Sequence, residues 1–330
     1  MNGFATLKDT KMATGPNTIE FGKEGVFRTE SGADGTHVEM PYSGLRTFLR
    51  RRPSLEFSGV DHVIYGIPFD LATSGRPGAR LGPSALREAS TQLAWGEVWP
   101  WNFDPFDRLS LVDAGDVPFR RGQVQEMLNN AVCFAERAIS AGAGTIMLGG
   151  DHCTTYTALK AHAAQHGPLA FVQFDAHRDT QVSQFLDHGT FVHHAIQEGL
   201  IDPIRSIQIG IRTFYDHDDS MTVLYRDWMR EHGWKRALER IRDVVGTGPA
   251  YLSIDIDSID PAYAPGTGTP VVDGLVPNDI ISILRATVDL NFVGMDLVEV
   301  APPYDPAGVT ALLGASLITE YICARAALKT

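Results

Sequence analysis

LAFVQFDAHRD, residues 169–179, is the stretch that decides the fold. A short run of aromatic and β-branched residues ends abruptly in Asp175, His177, Arg178 and Asp179, so it reads as a strand whose carboxyl end is chemically loaded. The same grammar recurs on both sides of it, in VDHVIYGI at 60–67, LSLVDAG at 109–115, GTIMLGG at 144–150, SIQIGI at 206–211, AYLSIDID at 250–257 and FVGMDLVEV at 292–300. Helical stretches separate these runs. Pro83 follows Gly82 ahead of SALREASTQLAW, which suits a proline in a first helical turn, and QVQEMLNNAVCFAERAISAG closes on Gly142. WMREHGWKRALERIRDVVG and NDIISILRATVDL supply two more helices. Strands alternating with helices predict an α/β fold, a three-layer αβα arrangement around a mainly parallel sheet.

Outside this body the pattern changes. The first fifty or so residues are rich in Gly, Ser, Thr and charge with no sustained period, which predicts an extended N-terminal arm over 1–55, suited to packing on a neighbouring subunit. No fixed-period repeat or Pro-rich linker divides the remainder, so 56–330 is expected to be one domain. With 44% hydrophobic and 21% charged residues in 330, the chain is neither disordered, collagen-like nor a coiled coil. Lys and Arg total 28 against 40 Asp and Glu, a net charge of −12 that disfavours phosphate backbones. Nucleic acid is therefore discounted as a partner, whereas acids gathered in a cleft would draw metal ions or cationic metabolites. Cys133, Cys153 and Cys323 match neither a disulfide framework nor a zinc site, and no apolar leader or run of roughly eighteen apolar residues occurs. The expectation is a cytoplasmic protein with no membrane association.

The chemistry is written at four strand ends: GGDH at 149–152, FDAHRD at 174–179, SIDIDSID at 253–260 and EVAPPYD at 299–305. In open α/β sheets the crevice at the carboxyl ends of the strands binds ligands, so four loaded ends point to one site. Asp175, His177 and Asp179 recur at i, i+2, i+4, and Asp255 and Asp257 at i, i+2, so an extended chain would project each set from a single face. DxHxD alone also occurs as a cap or an ion-pair cluster. SIDID is harder to dismiss, because Asp255 and Asp257 alternate with Ile254 and Ile256 inside an apolar run, where unpaired charge is almost never buried. With His152 there are six candidate ligands. Four carboxylates brought together repel one another unless protonated or neutralised by cations, which makes sense as a metal centre. Oxygen-rich ligation with two imidazoles suits Mn²⁺ and, less exclusively, Ni²⁺, Co²⁺ or Fe²⁺, and the donors outnumber the needs of one zinc with an open position. Two ions are expected.

These four blocks resemble the signature blocks of the ureohydrolases: arginases, agmatinases, guanidinobutyrases and their relatives. GIPFDLATSGRPGARLGPSALREAS at 66–90, WNFDPFDRLSLVDAGDV at 101–117, DHGT at 187–190, EGLIDP at 198–203 and QIGIRT at 208–213 are similar to agmatinases in particular. The resemblance implies the arginase/deacetylase-like version of the αβα fold and two Mn²⁺ per subunit. It implies a first ion on His152, Asp175, Asp179 and Asp255 and a second on His177, Asp175, Asp255 and Asp257, with Asp175 and Asp255 bridging. It further implies that Asp179 passes a proton to the departing amine, that Glu299 pairs with the guanidinium, and that His188 shuttles protons. The substrate implied is a small cationic guanidino compound, agmatine first, hydrolysed to putrescine and urea. A homo-oligomer, trimer or hexamer, is implied as well.

Departures keep other readings open. Arg178 stands where agmatinase-like sequences usually carry a small or uncharged residue; alternation points it away from the ligands, but in the pocket it would favour a carboxylate tail such as that of 4-guanidinobutyrate. The loop 180–186 is shorter than in agmatinases, and such loops set selectivity. Guanidine or a biguanide, with nickel, is a further alternative, as is a non-catalytic subunit of a guanidino-hydrolase assembly. A single-zinc deacetylase on the related fold predicts fewer carboxylates. Gly266 and Gly268 are expected to supply positive φ in PAYAPGTGTP, and Trp95, Trp99 and Trp101 to be core or subunit-contact aromatics.

Overall fold

The computed structural model describes residues 30–32, 35–37, 40, 42–94, 96–215, 217 and 219–329. Strands β1 (Glu30–Gly32) and β2 (Gly35–His37) form a small antiparallel pair. Eight further strands follow: β3 (His62–Gly66), β4 (Leu111–Asp116), β5 (Gly144–Leu148), β6 (Ala170–Phe174), β7 (Ile207–Ile211), β8 (Thr222–Tyr225), β9 (Ala250–Asp255) and β10 (Phe292–Val298). They make one sheet in the order β4-β3-β5-β10-β9-β6-β7-β8, parallel at every pairing.

Helices cover both faces, as parallel strands require. Alternating strand residues divide between two cores. Ile64, Val172, Leu252 and Met295 pack with Leu86 of α1 (Gly82–Ser90), Ile241 of α5 (Arg226–Val245), Ile283 of α6 (Pro277–Arg285) and Ile318 of α7 (Val309–Ala326). Val63, Tyr65, Phe171 and Tyr251 pack with Met127 of α2 (Val124–Ser140), Leu159 of α3 (Thr155–His166) and Val192 of α4 (Phe191–Gln197). The result is the three-layer αβα arrangement. Among the described residues α7 is the one helix long and apolar enough to cross a bilayer, yet 78% of it is buried, so its all-round apolarity serves the core.

Three expectations change. Strand β8 was not foreseen: TVLY is a four-residue edge strand with one fully covered side chain, too short to show a period. The arm does not run to residue 55, because Phe48, Leu49 and Arg50 are buried and the Phe48 N–H donates to Asp113 Oδ2 at 2.8 Å, which puts them in the body. Residues 1–29 of the arm, and Trp95, lie outside the described residues. Trp101 donates to Glu320 Oε2 at 2.8 Å, whereas Trp99 is 79% exposed, which removes the core half of its expectation and leaves the subunit-contact half.

Candidate active site and metal centre

Strands β5, β6, β9 and β10 are neighbours at the middle of the sheet, so the four loaded ends meet. His152 opens a 3₁₀ turn after β5 and is buried. Its Nε2 lies 2.9 Å from Ser253 Oγ, and Ser253 donates to Asp296 Oδ1 at 2.6 Å. With the one hydroxyl proton committed to Asp296, Ser253 can only accept from His152, so Nε2 carries a proton and Nδ1 is the atom left to ligate; burial opposes a second proton, but Asp175, Asp179 and Asp255 raise the ring well above its ordinary value. Around Nδ1 stand Asp179 Oδ2 at 2.9 Å, Asp175 Oδ2 at 3.1 Å and Asp255 Oδ2 at 3.2 Å. Nδ1 has no hydrogen-bond partner. A second group forms beside it, where His177 Nδ1 lies 3.1 Å from Asp257 Oδ2 and 3.5 Å from Asp175 Oδ1. His152, Asp175 and Asp255 make one cluster able to hold a metal ion and Asp175, His177 and Asp257 another, with Asp175 common to both.

Backbone and side-chain donors aim these acids. Asp175 accepts the His177 N–H on Oδ1 at 2.6 Å and Gln173 Nε2–H on Oδ2 at 2.7 Å. Asp255 Oδ1 accepts the Asp257 N–H at 2.7 Å, and Asp257 accepts from Ala176 N–H at 3.1 Å and Thr269 Oγ1–H at 3.1 Å. Among the described residues no lysine or arginine nitrogen comes within 4.0 Å of the carboxylates of Asp175, Asp179, Asp255 or Asp257. The proton affinities of Asp179 and Asp255 record the crowding, whereas His152 and His177 hold that of Asp175 down against burial. Burial, and then the charge of Asp175, pushes Asp179 up to about 7; burial and Asp257 raise Asp255 well above the carboxylate range. For His177 burial opposes the charged form, but Asp257 and Asp175 outweigh it and hold the ring up to about 12.

The convergence is achieved differently from the alternation read in the sequence. β6 ends at Phe174, so 175–179 is not extended; Asp179 turns back with φ 53°, a left-handed conformation that non-glycine residues seldom adopt. Asp257 lies in the 3₁₀ turn Ile256–Ser258 after β9. Tight turns, not a strand face, bring the pairs together. Arg178 points away from the ligands, as expected: Nε–H donates to Gln208 Oε1 at 2.9 Å and Nη2–H to Asp219 Oδ1 at 2.5 Å.

Outside the acids is a cavity of about 690 Å³, with Asp179, Asp255, His177, His188, Thr269 and Phe214 in its wall. Loop 180–186 contributes Thr180, Gln181 and Leu186. Glu299, also left-handed at φ 61°, accepts the His152 N–H at 3.0 Å and His188 Nδ1–H at 3.0 Å, both on Oε1. No hydrogen bond to Oε2 is formed among the described residues, but Glu299 is 1% exposed and is not among the residues that line the cavity. The Ser74 N–H can only donate, and it meets His188 Nε2 at 3.0 Å, which places the neutral ring's proton on Nδ1. Burial opposes a second proton there, but Glu299 holds the ring up to about 9, and Ser74 Oγ at 2.9 Å then accepts from Nε2. Gly266 and Gly268 serve by close approach, not by positive φ: a Cβ would come 2.8 Å from Asp305 Cβ at the first, and 3.1 Å from Arg76 O and 3.3 Å from Glu299 Oε2 at the second.

The supporting residues Gln173, Gln208, Ser253 and Asp296 were not singled out in the sequence. Asp296 carried a signal, a charge inside the apolar run FVGMDLVEV, by the rule that singled out SIDID.

Comparisons with known proteins bear on the family and the fold. The model of the arginase family matches residues 60–323. An agmatinase of Edwardsiella ictaluri (strain 93-146) is 51% identical over 272 residues, 82% of this chain and 89% of that protein. Among solved structures, a hypothetical agmatinase from Burkholderia thailandensis is 45% identical with a TM-score of 0.87, over 89% of this chain and 95% of that one. Proclavaminate amidino hydrolase from Streptomyces clavuligerus is 39% identical with a TM-score of 0.84, over 87% and 99% of the two chains.

Proposed function

The chain belongs to the arginase family, and on that premise we propose that it is a binuclear metal hydrolase that splits agmatine and water into putrescine and urea. The observation that carries the reading is the pair of donor clusters sharing Asp175 at the floor of an open cavity, with no lysine or arginine nitrogen within 4.0 Å of their carboxylates among the described residues. Its donor chemistry fits two divalent cations, Mn²⁺ first, held by His152, Asp175, Asp179 and Asp255 and by His177, Asp175, Asp255 and Asp257. Bound there, such ions supply water that is nucleophilic at neutral pH and offset developing negative charge.

The chain's own residues do the rest. Glu299 Oε2 accepts from the guanidinium, a planar forked cation that a carboxylate holds in one orientation. As the water oxygen bonds to the guanidino carbon and the bond to the chain nitrogen breaks, Asp179 takes the water's proton and returns it to the departing amine. His188, with Ser74 on one nitrogen and Glu299 on the other, links the site to solvent for proton exchange. Arg178 belongs to the cavity lining, but its guanidinium is paired with Asp219 and bonded to Gln208, which favours a substrate without a carboxylate tail. A homo-oligomer in the cytoplasm completes the proposal.

The test is urea release by the purified protein from agmatine, 4-guanidinobutyrate, arginine and guanidine, with Mn²⁺ and then Ni²⁺, and metal content measured on the same sample. Agmatine with Mn²⁺ should be fastest. Faster turnover of a carboxylate-tailed compound overturns the substrate, and two bound ions without urea from any compound overturn the enzyme.

A further inference from the structure

Beneath the ligands, four polar side chains cross the sheet in register. Gln208 pairs with Gln173 between β7 and β6, Gln173 with Ser253 between β6 and β9, and Ser253 with Asp296 between β9 and β10. All four are fully buried. Polar groups in such a place are costly unless each is satisfied, so the row has work beyond filling space. Its β9 and β10 half ends on His152. The other half ends on Asp175, and it has a direction.

Arg178 Nε–H donates to Gln208 Oε1 at 2.9 Å, Gln208 Nε2–H donates to Gln173 Oε1 at 2.7 Å, and Gln173 Nε2–H donates to Asp175 Oδ2 at 2.7 Å. The two ends of a glutamine amide have nearly the same shape and differ in which donates. A guanidinium is donor-only, so Gln208 can meet it only with Oε1, which sends Nε2 inward; the Arg178 carbonyl, 2.7 Å from that same Nε2, reads the same orientation. Gln173 must then turn Oε1 toward Gln208 and Nε2 toward Asp175. If either amide turned over, two acceptors or two donors would face each other inside the protein. Asp219 and the Tyr215 ring, 5.5 Å from the guanidinium, hold Arg178 from outside.

We propose that Arg178 is a positioning residue: by fixing the sense of two buried amides it guarantees Asp175 an N–H donor and so holds the carboxylate common to both metal-binding clusters in its cation-receiving orientation. This rests on the metal-centre reading above. A partner bonded directly to a ligand, as Gln173 is to Asp175, typically changes metal affinity by about 10- to 100-fold, and Arg178 acts on that partner through Gln208.

The test is a double-mutant cycle on Mn²⁺ affinity, followed by the EPR signal of free Mn²⁺ as the metal-stripped full chain is titrated. Arg178→Leu and Gln173→Met should each weaken binding about tenfold or more, and the double variant should be no weaker than the worse single one, because both break the same relay. Arg178→Lys, still donor-only at its head, should recover most of the affinity. Losses that simply add, or wild-type affinity in folded Arg178→Leu, overturn the proposal; a lowered melting temperature with unchanged Mn²⁺ binding assigns Arg178 to structure alone and overturns it too. Should Arg178→Leu not fold, Gln208→Met breaks the middle link and takes its place in the cycle. Wild-type protein that binds no pair of ions defeats the metal reading instead, so the two failures are distinguishable.

Discussion

Two groups of acids in this molecule follow opposite plans. Near the edge of the sheet, Arg87 donates through Nε and Nη2 to the two oxygens of buried Asp113 at 2.8 and 3.0 Å and through Nη1 to Asp116 at 2.6 Å. Asp113 also accepts the N–H groups of Phe48 and Gly115 at 2.8 and 3.0 Å, so its lone pairs are taken by the protein itself. At the strand ends, Asp175, Asp179, Asp255 and Asp257 have two imidazoles and one another. The first group closes the fold with a bidentate ion pair. The second has no lysine or arginine within 4.0 Å among the described residues and opens on a cavity. Burial alone therefore does not mark a functional acid; burial beside a cavity without a guanidinium or ammonium partner does.

The largest effect that separates the two plans is on turnover. Asp175→Asn should lower urea release at least about 10³-fold, comparable to loss of a key electrostatic group, while the protein stays folded. Arg87→Met should do the reverse: about 3–5 kcal/mol of unfolding free energy lost, since a buried carboxylate is stranded, with Mn²⁺ affinity unchanged. Denaturant melts beside urea assays on both variants check the pair. If Arg87→Met instead emptied the metal site without destabilising the chain, the contrast would be wrong.

A smaller effect sharpens the comparison. Chelation should lower the melting temperature, and Mn²⁺ at about a hundred times its dissociation constant should restore roughly 2.7 kcal/mol. Metal-free Asp255→Asn should melt above the metal-free wild type, by about 1 kcal/mol, because one mutually repelling acid is gone. The same substitution should abolish most of the Mn²⁺ stabilisation. No equivalent gain is expected from Asp113→Asn, whose charge is already paired.

These two groups were unequally visible in the sequence. The ligands were legible because charge interrupts apolar runs at the strand ends, a local signal carried by Asp255 and Asp257. The way they converge was not, since the left-handed turn at Asp179 and the 3₁₀ turn at Asp257 break the strand period on which face arguments depend. The partners Gln173, Gln208 and Ser253 were hidden for another reason: each is an ordinary polar residue until register places it next to the others, and register is a long-range property. Arg87 and Asp113 lie 26 positions apart in two separate blocks, and nothing local showed that they pair. The seven main strands were found, most of the runs extending one or two residues past the strand at one end or both and the run at 109–115 stopping one short of Asp116, and TVLY at the sheet edge was too short to register.

Glu299 and His188 fall between the two plans, an acid with a partner that can give up its charge. Because the folded protein raises the affinity of His188 for a proton from about 6.5, the ordinary value, to about 9, the pair contributes stability in full below about pH 6.5 and loses it as pH rises through about 9. The metal-free wild type should thus be more stable than metal-free His188→Asn at pH 6, with the gap closing steadily toward pH 10. Every other titrating group is common to both proteins and largely cancels. Denaturation midpoints at intervals across that range read the gap directly. A gap that does not change with pH would mean that the ring keeps only its Nδ1 proton, the Ser74 N–H holding Nε2 as an acceptor throughout, and that Glu299 behaves toward His188 as Asp113 does toward a backbone donor.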